Sequence, residues 1–333
     1  MSVLRSEIEL HGSAVMPDDD ATNNIGGAIS TSKKVSFSDM SAAGNVQAVS
    51  SAAGDTTQTV TAYGKNAAGE DINEVKTLNG TTVVPMTVNT TWERLLKAIK
   101  SATTTGDVAL EAVTAERSNT AQGGAAKTAS VDAYITLDAG ASAVDDYYKG
   151  MVLRLTGGTG SGQIREVLYY DGTTKRAYVK DWGTLPDGTT TFKISNGMVF
   201  DKSPAEITEV RKLFYNAAAP PAGTRKYYEK VFFKNNHGTL SLTNAVIKEA
   251  ADPSAKIAFA LETSLNGTDT NGAGNNRQVA PGGYTFDSGD ENVANSQNHT
   301  AGSGQGVWIE LSLAAGDAAT KTSYTPSEEG NSV

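Results

Sequence analysis

Short runs of alternating apolar and polar residues, separated by Gly, Asn and Asp, recur along this chain. Thr57–Tyr63 reads TQTVTAY, with Val60 and Ala62 on one face. Tyr227–Lys234 reads YYEKVFFK, and Gly306–Leu313 reads GVWIELSL, with Val307, Ile309 and Leu311 on one face and Trp308 on the other. A period of two is the mark of a strand with unlike faces. Lys34–Phe37, Val46–Val49, Ile72–Leu78, Leu240–Ile247 and Ala255–Leu261 are further strand candidates, as is Thr82–Val88, which Pro85 demotes to an edge. Asn79-Gly80, Asp171-Gly172 and Asn235-Asn236-His237-Gly238 supply hairpin and turn signals between them. Only Trp92–Ile99 breaks the rhythm. Trp92, Leu95, Leu96 and Ile99 fall at i, i+3, i+4 and i+7, a spacing that favours an amphipathic helix, with a strand as the alternative. The pattern as a whole predicts a mainly β protein of two or three β-rich domains, of antiparallel sandwich or meander type, with at most one short helix.

The densest information lies in Gly150–Ile194. Gly157 and Gly162 have the outer spacing of a phosphate loop, and Gly158, Gly160 and Gly162 fit GxGxG. A phosphate loop then needs Lys and Ser or Thr, but Gln163 and Ile164 come next. A dinucleotide site needs a helix after the glycines. QIREVLYY, Gln163–Tyr170, instead reads as a strand ending at Asp171-Gly172. The segment is better read as a β-meander of about four strands: Met151–Leu155, Gln163–Tyr170, Arg176–Val179 and Thr190–Ile194. Its glycines then serve positive φ in a tight connection, and Trp182 and Pro186-Asp187-Gly188 lie in the last connection.

In these residues the segment resembles a module of tailed-bacteriophage virion proteins. That module carries a Gly-rich GTGxGQxR hairpin, here Gly158–Arg165, then YxGTTK and later W and PDxT, here Tyr170–Lys175, Trp182 and Pro186–Thr189. The likeness is detailed over about 45 residues and looser elsewhere, as in GDTTQTVTAYGKNAAGEDINEVKTLNGTT. It implies a non-enzymatic structural protein of a virion, assembled in the cytoplasm of a bacterial host. The capsid exterior, as a decoration or cement protein, is the first expectation; a tail tube, fibre or baseplate part is the alternative. The expected partners are the major capsid protein or tail proteins and further copies of the chain. A third possibility is a module that binds host glycans through Trp182 or Trp308.

Composition sharpens this picture. At 333 residues the chain is long enough for several cores. With 38% hydrophobic and 20% charged residues it is globular but polar. A net charge of −9 argues against nucleic acid, whose phosphates call for clustered Lys and Arg. There is no cysteine, so disulfides and thiolate metal sites are excluded. The first twenty residues lack the apolar core of a signal peptide, and no apolar run is long enough to predict a membrane span.

No catalytic, cofactor or metal site is expected. His11, His237 and His299 fall in different regions, no G-x-S-x-G elbow is present, and Asp18-Asp19-Asp20 reads as a solvated turn. Asp269, Asn271 and Gly274 miss the spacing of a calcium loop, whose twelfth position is Ala280. The candidates for an interaction surface are aromatic: Tyr170, Trp182, Tyr227, Tyr228 and Trp308. Adjacent tyrosines on a strand face opposite ways, so one of each pair goes inward and the other is open to the surface, where Tyr is favoured at protein contacts, with packing on a sheet face as the alternative. The expected organisation is a β-rich domain over residues 1–117, a linker over 118–130, the meander over 131–200 and a C-terminal sandwich over 201–333. Asn266–Gly283 is expected to be an exposed, outward-facing loop, Gly316–Thr325 a turn and last strand, and Pro326–Val333 loose.

Overall fold

A computed structural model describes residues 2–252, 254–317 and 324–332. The alternation in the sequence becomes a long series of short strands. In chain order they begin with β1 (Ile8–Val15), β2 (Gly26–Lys34), β3 (Val46–Ser50), β4 (Thr59–Lys65), β5 (Asp71–Thr77), β6 (Val84–Pro85), β7 (Arg94–Lys100) and β8 (Val108–Ala112). The middle of the chain supplies β9 (Arg117–Thr120), β10 (Gly123–Ala125), β11 (Ala133–Thr136), β12 (Val152–Gly157), β13 (Ile164–Glu166), β14 (Tyr169–Asp171), β15 (Arg176–Val179), β16 (Thr191–Ser195), β17 (Gly197–Phe200) and β18 (Glu209–Arg211). The last third adds β19 (Thr224–Asn235), β20 (Leu242–Ala251), β21 (Ile257–Leu265), β22 (Glu291–Asn292), β23 (Gly304–Ala314) and β24 (Thr325–Ser332). Helical turns among the described residues are confined to Arg5–Glu7 and Ala294–Gln297. The second of these has φ of 60° at Asn295 and 55° at Ser296, so it winds left-handed. The chain is mainly β, as the pattern predicts.

Two compact units divide the chain. A central unit holds Ser32–Lys212 with Leu4–Ser6; a terminal unit holds Glu7–Thr31 and the chain from Leu213 onward.

The central unit has two parts. In the first, strands ordered β18-β7-β4-β5 face a second sheet ordered β17-β8-β3-β6. Between them lie Val60, Ala62, Leu95, Ala98 and Val210 from one sheet and Val46, Ala48, Val108, Leu110 and Phe200 from the other, with Trp92 filling one end. This sandwich corrects the helix expected over Trp92–Ile99: Arg94–Lys100 is β7, bonded to β4 and β18. Leu95 and Leu96 point to opposite faces, and both are buried. A strand covered on both faces loses its alternation, and a short apolar run then matches helical spacing by accident.

The second part is the segment that contains the Gly-rich hairpin. It forms two four-stranded sheets rather than one meander, ordered β13-β12-β16-β9 and β10-β11-β15-β14. Gln163–Tyr170 is not a single returning strand. It bends at Val167-Leu168, where Val167 N bonds Met151 O in one sheet and Leu168 N bonds Tyr178 O in the other. The same happens at Ala121-Gln122, whose amides bond Thr190 O and Thr136 O. Strands that switch sheets make the corners of such packings, and the two corners close the ladder into a small barrel. Leu153, Leu155, Val167, Tyr170, Ala177, Val179, Phe192 and Ile194 fill it. β9 and β10 thus occupy much of the stretch expected as a linker. Outside the barrel, Val152 and Ile164 pack on Val49, Ala109 and Val199 of the sandwich.

In the terminal unit, β21-β23-β19-β1-β2 form one sheet and β22-β20-β24 another. β19 and β23 pair over their whole length, from Thr224 opposite Ala314 to Lys234 opposite Gly304. Ile25, Tyr228 and Trp308 pack together with Val15, Tyr284 and Phe286. Pro326–Ser332, expected to be loose, is ordered as β24 by its ladder with β20. Of the expected turn over Gly316–Thr325, residues 318–323 lie outside the described residues.

Candidate functional site

The Gly-rich hairpin is a conformational device. Gly158, Gly160 and Gly162 have φ of 70°, 76° and 93°, a region that glycine enters without steric cost. A Cβ on Gly158 would lie 2.1 Å from Thr189 O, and one on Gly160 would lie 3.0 Å from Thr184 O. The loop is held from inside. Gln163 Nε2 donates to Thr184 O (2.7 Å) and Gly160 O (3.1 Å), while its Oε1 accepts from Gly183 N (2.7 Å) and Thr184 N (3.1 Å). Thr159 Oγ1 donates to Asp187 Oδ2 (2.8 Å), and Thr190 Oγ1 donates to Thr159 O (2.7 Å). Arg165 Nη1 donates to Asp107 Oδ2 (2.6 Å) and its Nε to Asp181 O (2.7 Å). The glycines lead into β13, not into a helix, so no helix N-terminus faces the loop.

The five aromatic candidates do not share a surface. Tyr170 points into the barrel, with its hydroxyl on Ser142 O (2.7 Å) and its ring edge-on to Tyr148. Burial, with Tyr148 beside it, pushes its phenol up to about 12. Trp182 is half-buried against the barrel interior, with Nε1 on Tyr134 O (3.1 Å). Tyr227 and Tyr228 are both buried, which corrects the expectation of one inward and one outward ring. The reason is the place of β19, bonded on both sides by β1 and β23 and covered on both faces from Tyr227 to Phe233. Tyr227 donates to Ala218 O (2.8 Å), and Tyr228 to Glu310 Oε2 (2.8 Å). Trp308 is fully buried. Asn266–Gly283 is exposed over most of its length but is anchored at buried Asn271 and Arg277. Asn271 accepts from Ile25 N (2.9 Å), and buried Arg277 bonds Asp20 Oδ1 (2.6 Å) and Tyr215 O (2.5 Å).

The accessible aromatic residues lie elsewhere. Tyr169 and Tyr178 are cross-strand partners stacked at 4.2 Å, and Tyr134, opposite Tyr178 on its other side, stands at 5.6 Å. Arg5 and Arg176 cap this row, each 4.3 Å from a ring centre, on Tyr169 and Tyr134. All three rings are partly exposed. Tyr178 and Tyr134 are missed by sequence reasoning because they stand singly. The usable signal is the parity of Tyr178 with Tyr169 across the Asp171-Gly172 turn; no local signal places Tyr134 beside them.

The titratable groups that burial perturbs are internally matched. Lys230 Nζ reaches Glu262 Oε1 (2.5 Å), Gly27 O (2.8 Å) and Asp269 O (3.1 Å) inside the terminal sheet. Burial pushes the lysine down and the Glu262 carboxyl up. The ring of oxygen acceptors around Nζ needs the donors of an ammonium. In the central unit, Lys34 lies between Glu166 and Asp201 (2.7 Å to the latter). Burial lowers its affinity for the proton, but the two carboxylates outweigh this and hold it above the usual range. Glu111 is buried with Arg154, Lys193 and Gln47 around it.

The histidines have separate partners: Glu9 for His11, the amides of Thr239 and Leu240 for His237, and Glu328 with Ser303 O for His299. Asp19 caps its own turn through Ala21 N and Thr22 N. Among the described residues no group of three or more His, Asp or Glu side chains converges as metal ligands, and no helix is long and apolar enough to cross a membrane. A recess of about 280 Å³ lies over β20 and β24, lined by Asn244, Val246, Lys248 and Glu329. No family model, curated protein or solved structure matches the chain.

Proposed function

We propose that this chain is a non-enzymatic structural protein of a tailed-phage virion, placed on the capsid exterior as a decoration or cement protein that self-associates and reinforces the particle. One observation carries the reading. The residues that bear the resemblance to phage virion modules are the ones that make the barrel. Gly158, Gly160 and Gly162 take the positive φ of the hairpin. Gln163 bonds across the loop, Arg165 ties the barrel to Asp107, and Trp182 closes one side of the interior. A motif used for architecture fits a building block better than an enzyme. The half-exposed Tyr and Arg row adds support, since both residue types are enriched where proteins meet.

The test is reconstitution. The purified chain is mixed with capsids that lack it and, separately, with tails, and each mixture is sedimented. Saturable pelleting with capsids is the expected result. Pelleting with tails alone moves the chain to the tail tube, fibre or baseplate, and pelleting with neither refutes the virion reading. Binding on a glycan array, abolished by Trp182→Ala, would favour a host-glycan module instead.

A further inference from the structure

We propose that the free edge of β5 is a self-association surface, on which two copies of this chain pair antiparallel about a two-fold axis through Val75. This goes beyond the virion reading and concerns the purified chain alone, so either can fail without the other.

Among the described residues, β5 ends its sheet and pairs with β4 alone. Leu78 N donates to Gln58 O, whereas Thr59 O takes Ser101 N on the β7 side. Antiparallel ladders alternate in this way. Val60, Ala62 and Gly64 therefore turn their backbone groups to Lys76, Glu74 and Ile72, their partners in register. Asp71, Asn73, Val75 and Thr77 are left to direct N–H and C=O groups away from β4, and all four are exposed. The loop at 87–89 is a described neighbour of this strand: Asn89 Nδ2 donates to Asn73 O (2.9 Å), the Thr87, Val88 and Asn89 amides bond the buried Glu74 carboxylate, and Lys76 Nζ reaches Thr87 Oγ1 (2.6 Å). The strand has no proline and no bulge against β4, two of the usual protections of an edge, but it carries two others, Lys76 and the inward-pointing Glu74.

In one register this edge is complementary to itself. Centring the pair on Val75 sets Val75 against Val75 of the second copy, Asn73 against Thr77, and Glu74 against Lys76. Val75 is 54% exposed, so an apolar side chain already lies on the seam. Centring on Glu74 would oppose like charges, which is unfavourable in directly facing pairs. Centring on Asn73 would set Asp71 against Val75 and Glu74 against Ile72. Pairing through Val75 releases the Asn89 amide from Asn73 O, which then takes the Thr77 amide of the second copy.

The chain has no cysteine, so Val75→Cys introduces a single thiol. Residues directly opposed in a hydrogen-bonded antiparallel pair have Cα atoms about 5.5 Å apart, within disulfide reach. Mild oxidation should give a linked dimer with Val75→Cys and little with Val144→Cys, a control that is 63% exposed on a loop of the barrel. In sedimentation equilibrium the wild-type chain should show a concentration-dependent dimer. Val75→Lys should raise its dissociation constant roughly tenfold or more by facing like charges. Unchanged circular dichroism and melting of the Val75 variants would confirm that they fold, as expected for a solvent-facing side chain. A wild-type chain that stays monomeric at every concentration overturns the proposal. So does a dimer indifferent to Val75→Lys, or Val75→Cys that links no faster than Val144→Cys.

Discussion

The barrel of the central unit and the long sheet of the terminal unit both bury aromatic rings, but they hold them by opposite means. The barrel interior is apolar, and its tyrosine hydroxyl is satisfied by a nearby carbonyl, as with Tyr170 on Ser142 O. The terminal sheet carries an ion pair, Lys230 with Glu262, beside the ring of Trp308. An apolar interior needs only the right pattern and turns. A buried pair needs both partners, because either charge alone is costly in a site without water.

The largest effect should come from breaking that pair. Lys230→Met leaves Glu262 buried without its cation, and urea unfolding of the terminal unit should show a loss of about 3–5 kcal/mol. Adding Glu262→Met should recover most of it, since apolar replacements of both partners are often neutral. If the double variant is as unstable as the single one, the pair does more than balance charge.

The barrel should instead be sensitive at its turn. Gly158→Ala combines positive φ with a Cβ against Thr189 O, and should cost about 2 kcal/mol or more. Gly160→Ala should cost about 1 kcal/mol or somewhat more. Gly162→Ala meets no atom within 4 Å and carries only the backbone penalty, so it should be mildest. Equal losses at the three positions would contradict a loop ordered by close approach. ATP, NAD and pyrophosphate should leave the melting temperature unchanged, and a saturable shift with any of them would restore the nucleotide reading.

Acid should weaken the central unit through its depressed carboxylates. In the central unit, burial raises the Glu74 carboxyl, but the amides of Asn89, Thr87 and Val88 and the ammonium of Lys76 outweigh it and bring it to about 2. Glu206 is likewise brought to about 2, by Lys100, Lys202 and the Thr104 amide acting against burial. A depressed carboxylate stabilises the fold above its unfolded value and loses that contribution as pH falls toward the folded value. The central unit should therefore weaken between pH 4.5 and about 2. Glu74→Gln should flatten part of that slope, and an unchanged slope would contradict the assignment. The smallest effect is expected at the tyrosine row: Tyr178→Ala should cost about 1 kcal/mol of unfolding free energy through lost ring contacts.

The same contrast explains what the sequence made legible. Alternation and turn signals locate β4, β15, β19 and β23: β15 matches residue for residue, β4 is offset by two residues, and β19 and β23 extend beyond the runs that mark them, while the hairpin glycines are legible for their φ. The closure of the barrel was not legible. Nothing local in QIREVLYY marks the bend at Val167-Leu168, which depends on what each half bonds. Nor could burial on both faces be seen for β7 or β19, because a strand's neighbours are set by distant segments. That is why Tyr227, Tyr228 and Trp308, candidates for an interaction surface by sequence, lie inside. The Lys230–Glu262 pair spans 32 residues and two strands that both bond β23, and no spacing in the sequence announces it.

The most direct measurement is the protein content of the particle. Quantitative mass spectrometry of purified virions should find this chain at a fixed ratio to the major capsid protein, one set by the symmetry of the shell. Its absence from the purified particle would contradict the structural role proposed here.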